Sequence, residues 1–131
     1  MSINKILKLF VVAVLMLALC GCGRPTIIGT DAAVYSRGNL YAVSGHDLNA
    51  VYKAALASLK QLEIEVAEKN KDVFYAKVVG NIADGRTVTI RIKPGENKAT
   101  ELRINTGKFG DEERSRVIYA KIQQNLKGIS G

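Results

Sequence analysis

Three observations predict an α+β fold, with a curved antiparallel sheet of four to five strands and two helices packed on one of its faces. Two segments, one beginning at Leu48 and one opening at Asp111, carry apolar residues at helical spacing. Several segments between them alternate apolar and polar residues at period two, as strands with one wet face do. The order along the chain is strand, helix, four strands, helix (β-α-β-β-β-β-α), so strands cluster together and do not alternate with helices.

The amino terminus stands apart from this pattern. Lys5 and Lys8 precede an unbroken apolar run, Leu9 to Leu19, that is shorter than the ~20 residues a bilayer-spanning helix needs. It therefore reads as the core of a secretory signal peptide. The run ends in Leu19-Cys20-Gly21-Cys22, which resembles the lipobox of bacterial lipoproteins, with Leu at −3, a small residue at −1 and Cys at +1. The alternative register would put bulky Leu19 at the small position, so cleavage is expected between Gly21 and Cys22. The resemblance implies that the Cys22 thiol carries diacylglycerol and its amino group an acyl chain such as palmitate. Two or three such chains, at roughly 0.8 kcal/mol per buried methylene, hold a small protein on a membrane. Residues 1–21 are thus a signal peptide, 22–32 an acylated cysteine and tether, and 33–131 one α+β domain. Pro25 and Gly29, without periodicity around them, suit a tether.

Ala33 to Ser36 begins a strand, bent at Gly38 and resumed from Asn39 to Val43. Ser44 is placed to N-cap a helix, with Asp47 three residues on as in a capping box and His46 in its first turn. Leu48, Val51, Tyr52, Ala55, Leu59 and Leu62 form the buried stripe of that helix, with Ala54 and Ala57 allowing close approach. Ile64 and Val66 alternate with charged neighbours, and Asn70 to Asp72 turns the chain. Val73 to Ile82 reads as a long strand with Phe74, Ala76 and Val78 on one face. Asp84-Gly85 signals a two-residue hairpin. Val88, Ile90 and Ile92 then point inward, Pro94-Gly95 turns, and Leu102 and Ile104 point inward again. Asp111, Glu112 and Glu113 complement the positive end of the last helix dipole. Ile118, Ile122 and Leu126 are that helix's stripe, aided by Val117, and Gly128 is read as its stop.

Composition bounds the chemistry. The chain has 131 residues and a formal charge of +7. Lys5 and Lys8 belong to the signal, leaving 17 basic against 12 acidic residues, or +5, on the mature protein. Export argues against nucleic acid as the partner and leaves an anionic envelope component or an envelope protein. With Cys20 cleaved away and Cys22 acylated, no thiol remains for a disulfide. His46 is the single histidine, no His/Cys/carboxylate cluster has metal-ligand spacing, and no serine sits in a nucleophile elbow. The expectation is a non-catalytic protein without cofactor or metal. The wet face of the meander would carry Thr87, Thr89, Arg91, Lys93, Arg103 and Asn105, with Lys77 on the neighbouring strand. Arg91, Lys93, Arg103, Asn105 and Lys77 are the candidate partner surface, and Tyr41, Tyr75 and Val79 its apolar complement. A groove between helix and sheet, lined by Leu48, Tyr52, Phe74 and Ile90, is the alternative for a small ligand or lipid.

The segments AAVYSRGNLYAV, LNAVYKAALASLKQLEI, ADGRTVTIRIKP and ELRINTGKFGDEERSRVIYAKIQQNL are similar to a family of small bacterial lipoproteins catalogued only as a domain of unknown function. Its pattern joins a lipobox, a helix xVYxAxxxAL, a DG hairpin and a strand ending RVGxFGDExxSRxI. Val51-Tyr52 with Ala54 or Ala55, Asp84-Gly85, Phe109 to Glu113, Ser115-Arg116 and Ile118 match it, while Asn105-Thr106 replaces a more apolar pair. The resemblance implies an envelope lipoprotein with no known activity. The element order is also similar to the helix-grip domains of the C-type lipoprotein of the outer-membrane β-barrel assembly machine, by fold-level analogy alone. Gly23, where an Asp would resemble an inner-membrane retention signal, implies the periplasmic leaflet of the outer membrane. In a monoderm host the place would be the outer face of the plasma membrane.

Overall fold

The computed structural model describes residues 2–20 and 33–130. Gly21 and Cys22, expected to form the lipobox, and residues 23–32, expected to be a tether, lie outside the described residues. The amino-terminal apolar segment is a helix, α1 (Ser2–Cys20). No described helix is long and apolar enough to cross a membrane.

The fold is α+β, with six antiparallel strands and not four to five. β1 (Ala33–Ser36) and β2 (Asn39–Ser44) precede α2 (Leu48–Gln61). β3 (Glu65–Lys71), β4 (Ala76–Asn81), β5 (Thr87–Pro94) and β6 (Thr100–Thr106) follow, and α3 (Glu112–Ser130) closes the chain. The spatial order is β1-β2-β6-β5-β4-β3. The extra strand arises at the expected bend. Ser36 pairs with Asn39, and Arg37 and Gly38 take φ of 52° and 82°, so the chain reverses in a two-residue hairpin of the kind that matches strand twist. β6 then pairs with β2, which carries the sheet past the hairpin that sequence adjacency alone suggests.

One face of the sheet is dry. Leu40, Val78, Val88, Ile90, Ile92 and Ile104 are wholly buried there, against Val51, Ala55 and Leu59 of α2 and Ile118 and Ile122 of α3. Helix α2 lies on β3, β4 and β5, and α3 on β2 and β6. Asn125 joins the helices, its amide donating to Ser58 Oγ (2.8 Å) and Gln61 Oε1 (3.0 Å). Gly80, inward on β4, makes room for Ile64, since a Cβ would meet Ile64 Cγ2 at 2.6 Å. The buried stripes of both helices agree with the spacing, except that Val117 is half exposed and Tyr119 and Ser115 are buried in its place.

Several boundaries depart from the sequence reading. Asp47, not Ser44, caps α2, with its carboxylate accepting from the Ala50 N–H at 2.7 Å. Ser44 instead accepts from the His46 N–H at 3.1 Å, so His46 precedes the helix. Asn70 and Lys71 belong to β3, after a bulge between Val66 and Glu68, and the turn falls at 72–75. Phe74 is therefore outside β4 and exposed at its tip. The Asp84-Gly85 hairpin has three loop residues, because Ile82 still bonds Arg86 (2.8 Å). Gly128 does not stop α3, which runs to Ser130.

Candidate functional site: the outer face of the sheet

The sheet face turned away from the helices brings the expected partner residues together. Strand pairing sets Lys77 opposite Arg91, Arg91 opposite Arg103, Arg103 opposite Tyr41 and Tyr41 opposite Val34. These five form one row across five strands. The next row holds Lys93, Glu101 and Val43, with Tyr75 just before β4. The row on the other side holds Val79, Thr89, Asn105 and Asn39. All five residues read from the sequence as a partner surface share this face.

Their circumstances differ. Lys93 is paired with Glu101 at 3.3 Å and Lys77 with Glu68 at 3.8 Å. The Asn105 amide donates to the Gly38 carbonyl (3.0 Å), which ties it to the β1–β2 hairpin. The Arg103 guanidinium lies 5.3 Å from the centroid of the Tyr41 ring, a cation–π distance. Arg91 makes no ion pair among the described residues, and its direct neighbour across the ladder is another arginine. Like charges set opposite on a sheet repel, a cost of about 0.2–1 kcal/mol.

Apolar surface surrounds these cations. Val34, Tyr41, Val43 and Tyr75 are all exposed and, with Arg91 and Arg103, they line a shallow concavity of about 540 Å³. Tyr41 and Tyr75 were expected here. Val34 and Val43 were not, although on a period-two count Val43 falls out of phase with the inward Leu40 and Ala42, and Val34 with the half-buried Ala33 and Tyr35. The residues expected to line a helix–sheet groove do not share a cavity wall: Ile90 is wholly buried and Phe74 is 74% exposed. Among the described residues, no three His, Cys, Asp or Glu side chains converge as a metal would require.

The carboxyl-terminal motif serves a different purpose. Asp111 caps α3 by accepting from the Arg114 N–H at 2.9 Å, and its other oxygen takes the Arg86 guanidinium at 2.6 Å. Arg86 also holds Asp84 at 2.7 Å. The Arg114 amide and Arg86 keep the Asp111 carboxyl below its ordinary range, and hydrogen bonds from Arg86 do the same for Asp84. Both carboxylates push the guanidinium pKa up. Thr106 and Ser115 are wholly buried with their hydroxyls 3.1 Å apart, which accounts for a polar residue where the strand was expected to be apolar. Gly110 also packs directly on Gly38, so the Phe109 to Arg116 segment locks the start of α3 to the β4–β5 and β1–β2 hairpins.

Two helices on one face of an antiparallel sheet, with cations and aromatic side chains gathered on the other, define a small α+β protein whose open surface is a sheet face and not a cleft. The chain belongs to the family described as "Protein of unknown function (DUF3568)", whose model matches residues 5–125. The matched span includes the amino-terminal apolar segment, the cysteines and nearly all of the folded part. No curated protein matches the chain.

Proposed function

We propose that this protein is a lipid-anchored lipoprotein of the cell envelope whose domain binds an anionic partner through the outer face of the sheet and performs no catalysis. The carrying observation is the Arg91–Arg103 pair. Two cations face each other with no carboxylate paired to Arg91 among the described residues, inside a rim of exposed Val34, Tyr41, Val43 and Tyr75. Repulsion of that kind is relieved when a partner brings negative charge, and the apolar rim adds area that an incoming surface removes from water. Cys22, at the end of a short apolar run and after Gly21, supports the anchor. Gly23 favours the periplasmic leaflet of the outer membrane.

In-cell cross-linking of the lipidated protein, followed by mass spectrometry, tests the docking surface. A reproducible acidic partner that disappears in the Arg91→Glu/Arg103→Glu variant is expected. Capture unchanged by that variant overturns the surface. Capture of lipid or a small amphiphile alone would favour the alternative ligand-binding lipoprotein. For the anchor, Cys22→Ser is expected to abolish lipid labelling and Cys20→Ser to leave it intact; labelling that survives Cys22→Ser refutes the assignment.

A further inference from the structure

The β3–β4 turn carries an anomaly that the outer sheet face does not explain. Turns on a protein surface are normally built from Gly, Pro, Asn, Asp and Ser. Here three consecutive apolar residues, Val73, Phe74 and Tyr75, occupy the turn, closed by the Asp72 N–H donating to the Tyr75 carbonyl at 2.7 Å. Val73 is 76% and Phe74 is 74% exposed. A run of this kind on a surface is a liability unless something covers it.

The direction of the chain points to what covers it. Ala33 pairs with Ala42, and Ser44 pairs with Thr100, which pairs with Pro94. Lys71 pairs with Ala76, whose partner on the next strand is Ile92. The start of β1, the end of β2, the start of β6, the end of β5 and the β3–β4 tip therefore share one end of the sheet. The Arg37–Gly38 turn, the 83–85 loop and the 107–110 segment occupy the other. Ala33, the start of β1, lies at the end that bears Val73 and Phe74. Only ten residues, 23–32, separate it from Cys22, a reach of at most about 35 Å even when fully extended. A bilayer anchored through Cys22 is held within that distance of this end, at high effective concentration.

We propose that this end of the domain rests on the bilayer, with Val73 and Phe74 inserted at the level of the lipid headgroups; the proposal rests on the lipid-anchor reading above. Insertion is apolar and not electrostatic. Lys71, Lys93 and Lys98 at this end are offset by Asp47, Asp72, Glu96 and Glu101, so a zwitterionic surface suffices. With the tip in the membrane, the strands stand away from it, and the Arg91–Arg103 face is presented sideways and stays open to a partner.

The chain contains no tryptophan, so Phe74→Trp supplies a single fluorescent probe at the tip. Phe109→Trp supplies a control at the other end, where Phe109 is 90% exposed. Each variant is expressed from the full sequence and purified from membranes, its acylation read by mass spectrometry, and reconstituted in phosphatidylcholine vesicles with and without brominated acyl chains. The Phe74→Trp emission is expected to shift to shorter wavelength and to be quenched by brominated lipid, independently of salt, while Phe109→Trp stays unshifted and unquenched. An acylated protein whose Phe74→Trp is not quenched overturns the docking and leaves the anchor intact. Quenching without acylation supports the docking and refutes the anchor at Cys22, and neither acylation nor quenching refutes both. A shift without quenching overturns membrane docking in favour of a covering protein chain.

Discussion

Gly110 is packed on Gly38 so tightly that a Cβ on Gly110 would stand 2.5 Å from the Gly38 Cα and 2.9 Å from its carbonyl oxygen. Both obstacles are backbone, which cannot turn aside as a side chain can. Gly110 also has φ of 86°, where an L side chain is strained. Gly110→Ala is therefore expected to cost about 2–5 kcal/mol, combining backbone strain with overpacking. Gly85→Ala has a similar φ of 93° but open space around it, and only the strain of about 1–2 kcal/mol is expected. Urea unfolding of the two variants separates the terms; equal losses would show that the Gly38 contact contributes nothing.

Thr106 and Ser115 place two hydroxyls in a wholly buried site. Thr106→Val keeps the shape and leaves the Ser115 hydroxyl without that partner, at an expected cost of about 1–3 kcal/mol. The double variant Thr106→Val/Ser115→Ala removes both polar groups and is expected to recover much of the loss. A double-mutant cycle with no coupling would exclude the bond as a stabilising contact.

Arg86 couples the hairpin at Asp84 to the helix cap at Asp111. Both carboxyls are held below their ordinary value of 3.8 in the folded protein, so the unfolded chain binds protons more readily. The stability they contribute is complete above that value and is lost as pH falls through it and below. Arg86→Met is expected to flatten the acid limb of the stability–pH curve while leaving its neutral-to-alkaline slope unchanged. An acid limb as steep as that of the parent protein would assign acid unfolding to other carboxylates.

Arg91 and Arg103 should trade stability for recognition. Arg91→Glu converts a repulsive cross-strand pair into an attractive one and is expected to raise stability by about 0.2–1 kcal/mol, with the gain shrinking at high salt. The same substitution is expected to weaken capture of an anionic partner. A destabilised Arg91→Glu would mean that the arginine stem, packed on the sheet, outweighs the repulsion of its charge.

Much of the core was legible before any fold was known. Val88, Ile90 and Ile92, then Leu102 and Ile104, alternate so strictly that a one-residue slip would expose them all, and each is buried as expected. The stripe of α2 was equally plain, since Val51, Ala55 and Leu59 lie on one side of any helix drawn through them. The outward phase of the same strands named Arg91, Lys93, Arg103 and Asn105 by elimination. Errors gathered where local signals compete. Ser44 and Asp47 both suit an N-cap, and the choice falls to Asp47 because the Ser44 hydroxyl is already engaged by the His46 amide. Phe74 looked like core because apolar residues flank it, but Ala76 is the first residue of β4 to point inward.

Sequence alone determined both helices of the domain, most of its strands and the buried stripes, because these depend on periodicity and on residue order over a few turns. It also marked the Phe109 to Arg116 segment as distinctive without revealing its use. Only the tertiary structure decided that β6 lies between β2 and β5, that Arg91 meets Arg103, and that Gly110 meets Gly38. Those partners lie far apart along the chain, and which of them touch is settled by strand pairing within a sheet whose one face the two helices cover between them. The exposed Val73–Phe74 tip and the entry of the chain at Ala33 come to the same end of the molecule for the same reason: strand pairing, and not sequence distance, places them there.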